Sequence, residues 1–176
     1  EIKYALCDEN FNLTEKKSIP TNAHEGGKRI IERVVEIAKT VENIDRIGIS
    51  TAGQVNSKKG EIIFATETLP GYTGMKIKEI IEAETGILTA VENDVNSAAV
   101  GEAVFGAAKG CPDFICLTYG TGIGGAIFLG GKLFTGNSFS AGEFGHFVTH
   151  ANGKSCTCGG CGCYEAYASS GALVRA

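Results

Sequence analysis

Leu88-Thr89-Ala90-Val91-Glu92-Asn93-Asp94, followed by an alanine-rich run from Val95 to Lys109, decides the fold. The first four residues are β-prone and the polar triplet stops them, while Ala98, Ala99, Ala103, Ala107 and Ala108 suit a closely packed helix. Strand running into helix is the repeating step of α/β proteins, and open α/β sheets bind ligands at the carboxyl ends of their strands. Asn93 and Asp94 stand at such an end. A carboxylate there can take the proton of a substrate hydroxyl as it attacks a phosphoryl group. Asp before an apolar helix is also a favoured N-cap, so Asp94 by itself fits either role.

Upstream, Ile2, Tyr4 and Leu6 alternate in a strand that turns at Asp8-Glu9-Asn10 into a second strand near Leu13 to Ile19. Ile30, Ile31, Val34, Val35, Ile37 and Ala38 recur at helical spacing and predict a helix from His24 to Thr40. Arg46 to Ser50 is a buried strand running into Thr51-Ala52-Gly53, Ile62 to Phe64 is a short strand, and Ile77, Ile80 and Ile81 mark a helix ending at Gly86. Downstream, a strand from Phe114 to Leu117 breaks into Tyr119-Gly120-Thr121-Gly122-Ile123-Gly124-Gly125 and returns through Ala126 to Leu129. The class is α/β with added hairpins. A boundary falls in the Val95 to Gly101 region, giving an N-terminal α/β domain over 1–97 and the first part of a second over 98–176.

The 176 residues, 43% apolar and 20% charged, suit one ordinary domain or two small ones with packed cores. Glycine accounts for 25 of the 176 positions, about twice the usual share of about 7%. A net charge of −4 argues against a nucleic-acid platform or an anionic-membrane binder, and no apolar run approaches the length of a membrane span. Seven cysteines, four of them between Cys156 and Cys163, point to a reducing compartment and one metal site, hence a cytoplasmic location. Cys7, Cys111 and Cys116 read as small core residues, and Lys109 and Lys132 as solvated charge.

Two further patterns carry chemistry. Thr121-Gly122-Ile123-Gly124-Gly125 joins two apolar strands, and its Cβ-free backbone at Gly122 and Gly124 can converge on phosphate oxygens. A plain glycine-rich hairpin reads the same way. Cys156-x-Cys158-x-x-Cys161-x-Cys163 follows His146 and His150, and thiolate and imidazole donors so close together suit tetrahedral Zn²⁺. Disulfides are the alternative, and residue chemistry leaves the fourth ligand open between Cys161 and a histidine. Glu143, His146 and Glu165 bracket the cluster, where a metal knot would fix polar groups around a small polar substrate.

Four ordered motifs, Glu92-Asn93-Asp94-Val95-Asn96-x-x-Ala99-x-Gly101-Glu102, Gly120-Thr121-Gly122-Ile123-Gly124-Gly125, Gly142-Glu143-Phe144-Gly145-His146 and Cys156-x-Cys158-Gly159-x-x-Gly162-Cys163-x-Glu165, resemble the ROK family (repressor, open reading frame, kinase). The resemblance spans essentially the whole chain. It implies an actin-like ATPase (ribonuclease H-like) fold of mixed sheets with flanking helices and a zinc-binding loop. It further implies ATP-dependent phosphorylation of a hexose, with Asp94 as general base and Gly53, Asn93, Asp94, Glu143, His146 and Glu165 beside the sugar. The same resemblance puts Thr121, Gly122, Gly124 and Gly125 on ATP with its Mg²⁺, and Zn²⁺ on His146, Cys156, Cys158 and Cys163, leaving Cys161 as bystander or substitute. A glucokinase-like enzyme acting as a homodimer is the leading expectation. The family's first phosphate loop would precede Glu1 and its adenosine site would follow Ala176, so the chain reads as the central portion of a longer protein, inactive by itself. The alternatives are a sugar-responsive repressor with an upstream helix-turn-helix, and a zinc-stabilised sugar-binding module without catalysis.

Overall fold

The computed structural model describes residues 1–174. Alternation of apolar residues builds a first antiparallel pair, β1 (Ile2–Cys7) with β2 (Leu13–Ile19), closed by an Asp8 turn whose Oδ1 accepts the Asn10 and Asn12 N–H groups. The predicted His24–Thr40 helix is shorter and preceded by a separate turn. Ala23–Glu25 forms a 3₁₀ turn, Gly26 sits at φ 88° outside the helical region, and α1 runs Gly27–Lys39. The periodicity that predicted α1 is real: Ile30, Ile31, Val35 and Ala38 are buried on one face.

β3 (Arg46–Thr51) leads through β4 (Gln54–Asn56), β5 (Glu61–Phe64) and α2 (Ile77–Thr85) to β6 (Leu88–Asn93). β3 and β6 pair in parallel, with Thr51 opposite Asn93, so the carboxyl ends of both strands arrive together. The turn after β3 is pinned from beneath, because the hydroxyl of buried Tyr72 is 2.8 Å from Thr51 Oγ1. Ile31, Val35, Val55, Ile62, Ile77, Ile81 and Val91 form the core of this half.

α3 (Asp94–Phe105) follows β6 directly and stops sooner than the sequence predicted. The alanine run passes through Gly106, where Glu102 folds back to accept the Ala107 N–H at 2.8 Å and ends the helix. β7 (Phe114–Tyr119), β8 (Ile123–Leu129) and β9 (Lys132–Leu133) form an antiparallel sheet. Ala99 of α3 packs on Ala126 and Phe128 of β8, and these three buried residues are the centre of a second core. Small side chains at that contact let helix and sheet approach closely. A 3₁₀ turn (Phe144–His146) and the short helices α4 (Glu165–Ala168) and α5 (Ser170–Val174) complete the described elements.

Among the described residues the strands form four small sheets, three antiparallel and one parallel. One cysteine expectation needs correction. Cys7, at the end of β1, and Cys111, in the turn before β7, are exposed, and only Cys116 packs against the second core. Lys109 and Lys132 are exposed as expected. Among the described residues, no helix is long and apolar enough to cross a membrane.

Candidate active site and metal centre

At the junction of β6 and α3 the capping role falls on Asn93, one residue before Asp94. Asn93 Oδ1 accepts the N–H groups of Val95 (2.9 Å) and Asn96 (3.1 Å), while its Nδ2 donates to the Gly53 carbonyl at 3.0 Å. One amide thus satisfies two orphan donors of the helix and ties them to the turn after β3. Gly53 occupies φ 99°, and a Cβ there would meet the Phe64 carbonyl at 2.8 Å. Asp94, relieved of the cap, is the first helical residue and is exposed.

Glu143, His146 and Glu165 gather in the same neighbourhood. Partial burial raises the Glu143 carboxyl above its ordinary range, the His146 ring pulls it down, and the charges of Asp94 and Glu165 push it up. His146 divides its two nitrogens: Nε2 lies 3.9 Å from Glu143 and Nδ1 faces the cysteines, 3.6 Å from Cys156 Sγ. Asp94, Glu143, His146 and Glu165 therefore share one electrostatic field, with Asn93 and Gly53 bonded to each other beside it. Gln54 Nε2 donates to the Ser138 carbonyl at 2.6 Å, a tie from β4 to the segment that carries Glu143.

The hairpin between β7 and β8 turns through Gly120-Thr121-Gly122, closed by the Gly120 N–H on the Gly122 carbonyl at 2.9 Å. Its later glycines are already demanded by packing. A Cβ on Gly124 would lie 2.3 Å from Val95 Cγ2, and one on Gly125 would lie 2.2 Å from the Phe144 ring. Gly122 faces Glu165, whose Oε2 would be 2.5 Å from an added Cβ and accepts the Ile123 N–H at 3.1 Å. Thr121 is exposed at the tip.

The cysteine knot selects four of its candidate donors. One ligand atom each of His146, Cys156, Cys158 and Cys163 lies within 4.8 Å of the other three, and Cys158 Sγ is 3.7 Å from Cys163 Sγ. Cys161 is exposed and lies outside this group. His150 is also set aside, because its ring stacks on Tyr167 with centroids 4.0 Å apart and its Nδ1 is 3.0 Å from Thr149 Oγ1. Three thiols and one imidazole at this separation fit a closed tetrahedral Zn²⁺ site. Burial pushes the Cys163 thiol up to about 12 and raises Cys156, whereas the Gly160 N–H holds Cys158 below its ordinary value. Glu165, with its side chain 16% exposed, turns Oε1 to the Cys156 and Thr157 donors at 3.4 Å, so it touches both knot and hairpin. The sequence reading missed Thr157, the Ile123 N–H and Ser170, whose hydroxyl reaches the Gly120 carbonyl; isolated Ser and Thr carry no pattern that would have flagged them.

The ROK family profile matches residues 1–176. The chain belongs to the ROK family. It is 40% identical over 176 residues to a glucokinase of Streptomyces coelicolor, covering 99% of this chain and 55% of that protein. The solved ROK family glucokinase of Streptomyces griseus, in complex with glucose and AMPPNP, superimposes with a TM-score of 0.85 at 36% identity, covering 98% of this chain and 55% of that one. A xylose repressor of Bacillus spizizenii is 36% identical over 129 residues, which are 73% of this chain and 33% of that protein. This ROK chain thus spans about half the length of the glucokinases it matches.

Proposed function

We propose that the full-length protein is an ATP-dependent hexose kinase of the glucokinase type, with Asp94 as general base. The observation that carries this reading is the division of labour at β6–α3: Asn93 caps the helix, leaving the Asp94 carboxylate exposed where its charge acts on Glu143. In this reading Asp94 takes the proton of one sugar hydroxyl as the hydroxyl oxygen attacks the γ-phosphorus of ATP and the bond to the bridging oxygen breaks to release ADP, a reaction governed by positioning and charge stabilisation. Glu143 and Glu165 accept hydrogen bonds from other hydroxyls, His146 presents Nε2 on the same side, and Asn93 with Gly53 forms the floor. The backbone around Thr121, Gly122, Gly124 and Gly125 faces the phosphates, whose Mg²⁺ enters as part of the nucleotide substrate. His146, Cys156, Cys158 and Cys163 would hold Zn²⁺, which supplies rigidity to this wall of the pocket.

The two cores, one either side of the start of α3, support a division into units over 1–97 and 98–176, with the sugar residues drawn from both. Glucose is the preferred sugar because the glucokinase relatives match over nearly the whole chain. The repressor relative favours a second reading, in which the same pocket senses a sugar without transferring phosphate. Coupled-assay kinetics on the full-length protein separate the two. Glucose- and ATP-dependent turnover is expected, with Asp94→Asn lowering kcat by at least about 10²-fold, the lower range for a general base, while glucose binding persists. Tight glucose binding with no turnover in the unaltered protein would favour the sensor.

A further inference from the structure

The glycine hairpin is held in part by α5, which the catalytic reading leaves unused. Ser170 opens α5 and directs two donors at one atom: its N–H lies 3.0 Å, and its hydroxyl 2.5 Å, from the Gly120 carbonyl. Five residues earlier, Glu165 Oε2 accepts the Ile123 N–H at 3.1 Å. These contacts grip the hairpin at both ends of its turn, Gly120 where β7 finishes and Ile123 where β8 begins. Glu165 in turn lies two residues after Cys163, one of the four clustered donors, and its other oxygen faces Cys156. A short run of chain thus connects the candidate metal ligands to the turn, with Cys163 fixing one end and Ser170 the other.

We propose that Ser170 is a positioning residue for the glycine hairpin, and that α4–α5 transmits the order of the His146–Cys163 metal knot to it. An ordered hairpin presents its backbone to phosphate without a conformational cost at binding, and a loosened one binds more weakly by the fraction of time it is formed. The inference rests on reading the hairpin as a nucleotide site. Hydrogen bonding by the hairpin itself can be followed without any nucleotide.

The test uses the full-length, zinc-loaded protein as Ser170→Ala, as Ser170→Thr, which keeps the hydroxyl, and unaltered. Amide hydrogen exchange is followed over residues 119–125, and AMPPNP, glucose and zinc binding are measured on the same samples. Ser170→Ala is expected to speed exchange there and to raise the Kd for AMPPNP roughly three- to tenfold, the effect of one net hydrogen bond. Glucose affinity and zinc content should be preserved, and Ser170→Thr should restore both altered readouts. Chelating zinc from the unaltered protein should speed exchange over the same residues. Unchanged exchange in Ser170→Ala, or equal losses of glucose, zinc and AMPPNP binding, would overturn the positioning role. If the unaltered protein binds no AMPPNP, the nucleotide reading falls and the exchange rates alone decide the clamp.

Discussion

Asn93 and Asp94 are adjacent, both polar and both suited to a helix start, yet the structure gives them separable roles. Asn93 makes the two capping bonds and the tie to Gly53, so Asn93→Ala should cost about 1–2 kcal/mol, the upper range for a lost cap. Among the described residues Asp94 accepts only the neighbouring Val95 N–H, at 3.0 Å, a role that an amide oxygen can also fill. Asp94→Asn should therefore lose at most about 1 kcal/mol of helix-dipole stabilisation while turnover collapses. Denaturant melts of both variants check the contrast, and a larger stability loss in Asp94→Asn would mean that the carboxylate is structural. The sequence left Asp94 open between helix cap and free carboxylate. It could not say which residue took which role, because the start of a helix is uncertain by about one residue until the backbone turn is known. The metal donors divide in the same manner. Spacing left Cys161 and a histidine open as the fourth ligand, whereas the folded knot puts His146 inside and Cys161 outside. Cys161→Ser should keep one zinc per chain by metal analysis, and His146→Ala or Cys158→Ser should lose it.

Among elements, the long periodic ones were legible and the tightly turned ones were not. α1 and β6 follow from apolar spacing and the four clustered donors are those the family resemblance implied, but the pairing of Val148 with Cys163 and the short α4 and α5 depend on contacts remote in sequence. The glycine hairpin shows how far pattern reaches. Its position between two strands was evident, yet the same glycines serve close packing that no local pattern reports. Gly124 lets Val95 of α3 lie against β8, and Gly125 makes room for Phe144. Gly124→Ala should consequently destabilise the fold by about 1–3 kcal/mol, as overpacking does, and should raise KM for both substrates together. Among the described residues other than its chain neighbours, nothing lies within 4 Å of a Cβ placed on Gly120, so Gly120→Ala should shift stability by no more than about 0.5 kcal/mol, as exposed substitutions usually do. Thermal melts set against the two KM values distinguish these cases, and a stable Gly124→Ala protein with only its KM for ATP raised would return that glycine to the phosphate alone.

For the molecule as a whole, the metal knot makes stability and pH interdependent. In the metal-free chain burial lifts the Cys163 thiol from an ordinary 9.0 to about 12, and Cys156 is also raised. Because the folded metal-free state holds the Cys163 proton more tightly than the unfolded chain does, this contribution is whole below about pH 9 and disappears as pH rises toward about 12. Zinc reverses the dependence around neutrality. A thiol must lose its proton to become a ligand, so metal binding has to displace protons from at least these two cysteines. The apparent zinc constant should then rise at least about hundredfold per pH unit near pH 7, two or more protons being released for each metal bound. Competition with a chelator at two pH values one unit apart measures this slope directly. Glu143 and Glu165 lie against His146, itself one of the clustered donors, so glucose affinity should weaken as the metal leaves and return when zinc is restored. A zinc constant independent of pH would exclude Cys156 and Cys163 as ligands, and glucose affinity unmoved by chelation would separate the knot from the sugar pocket.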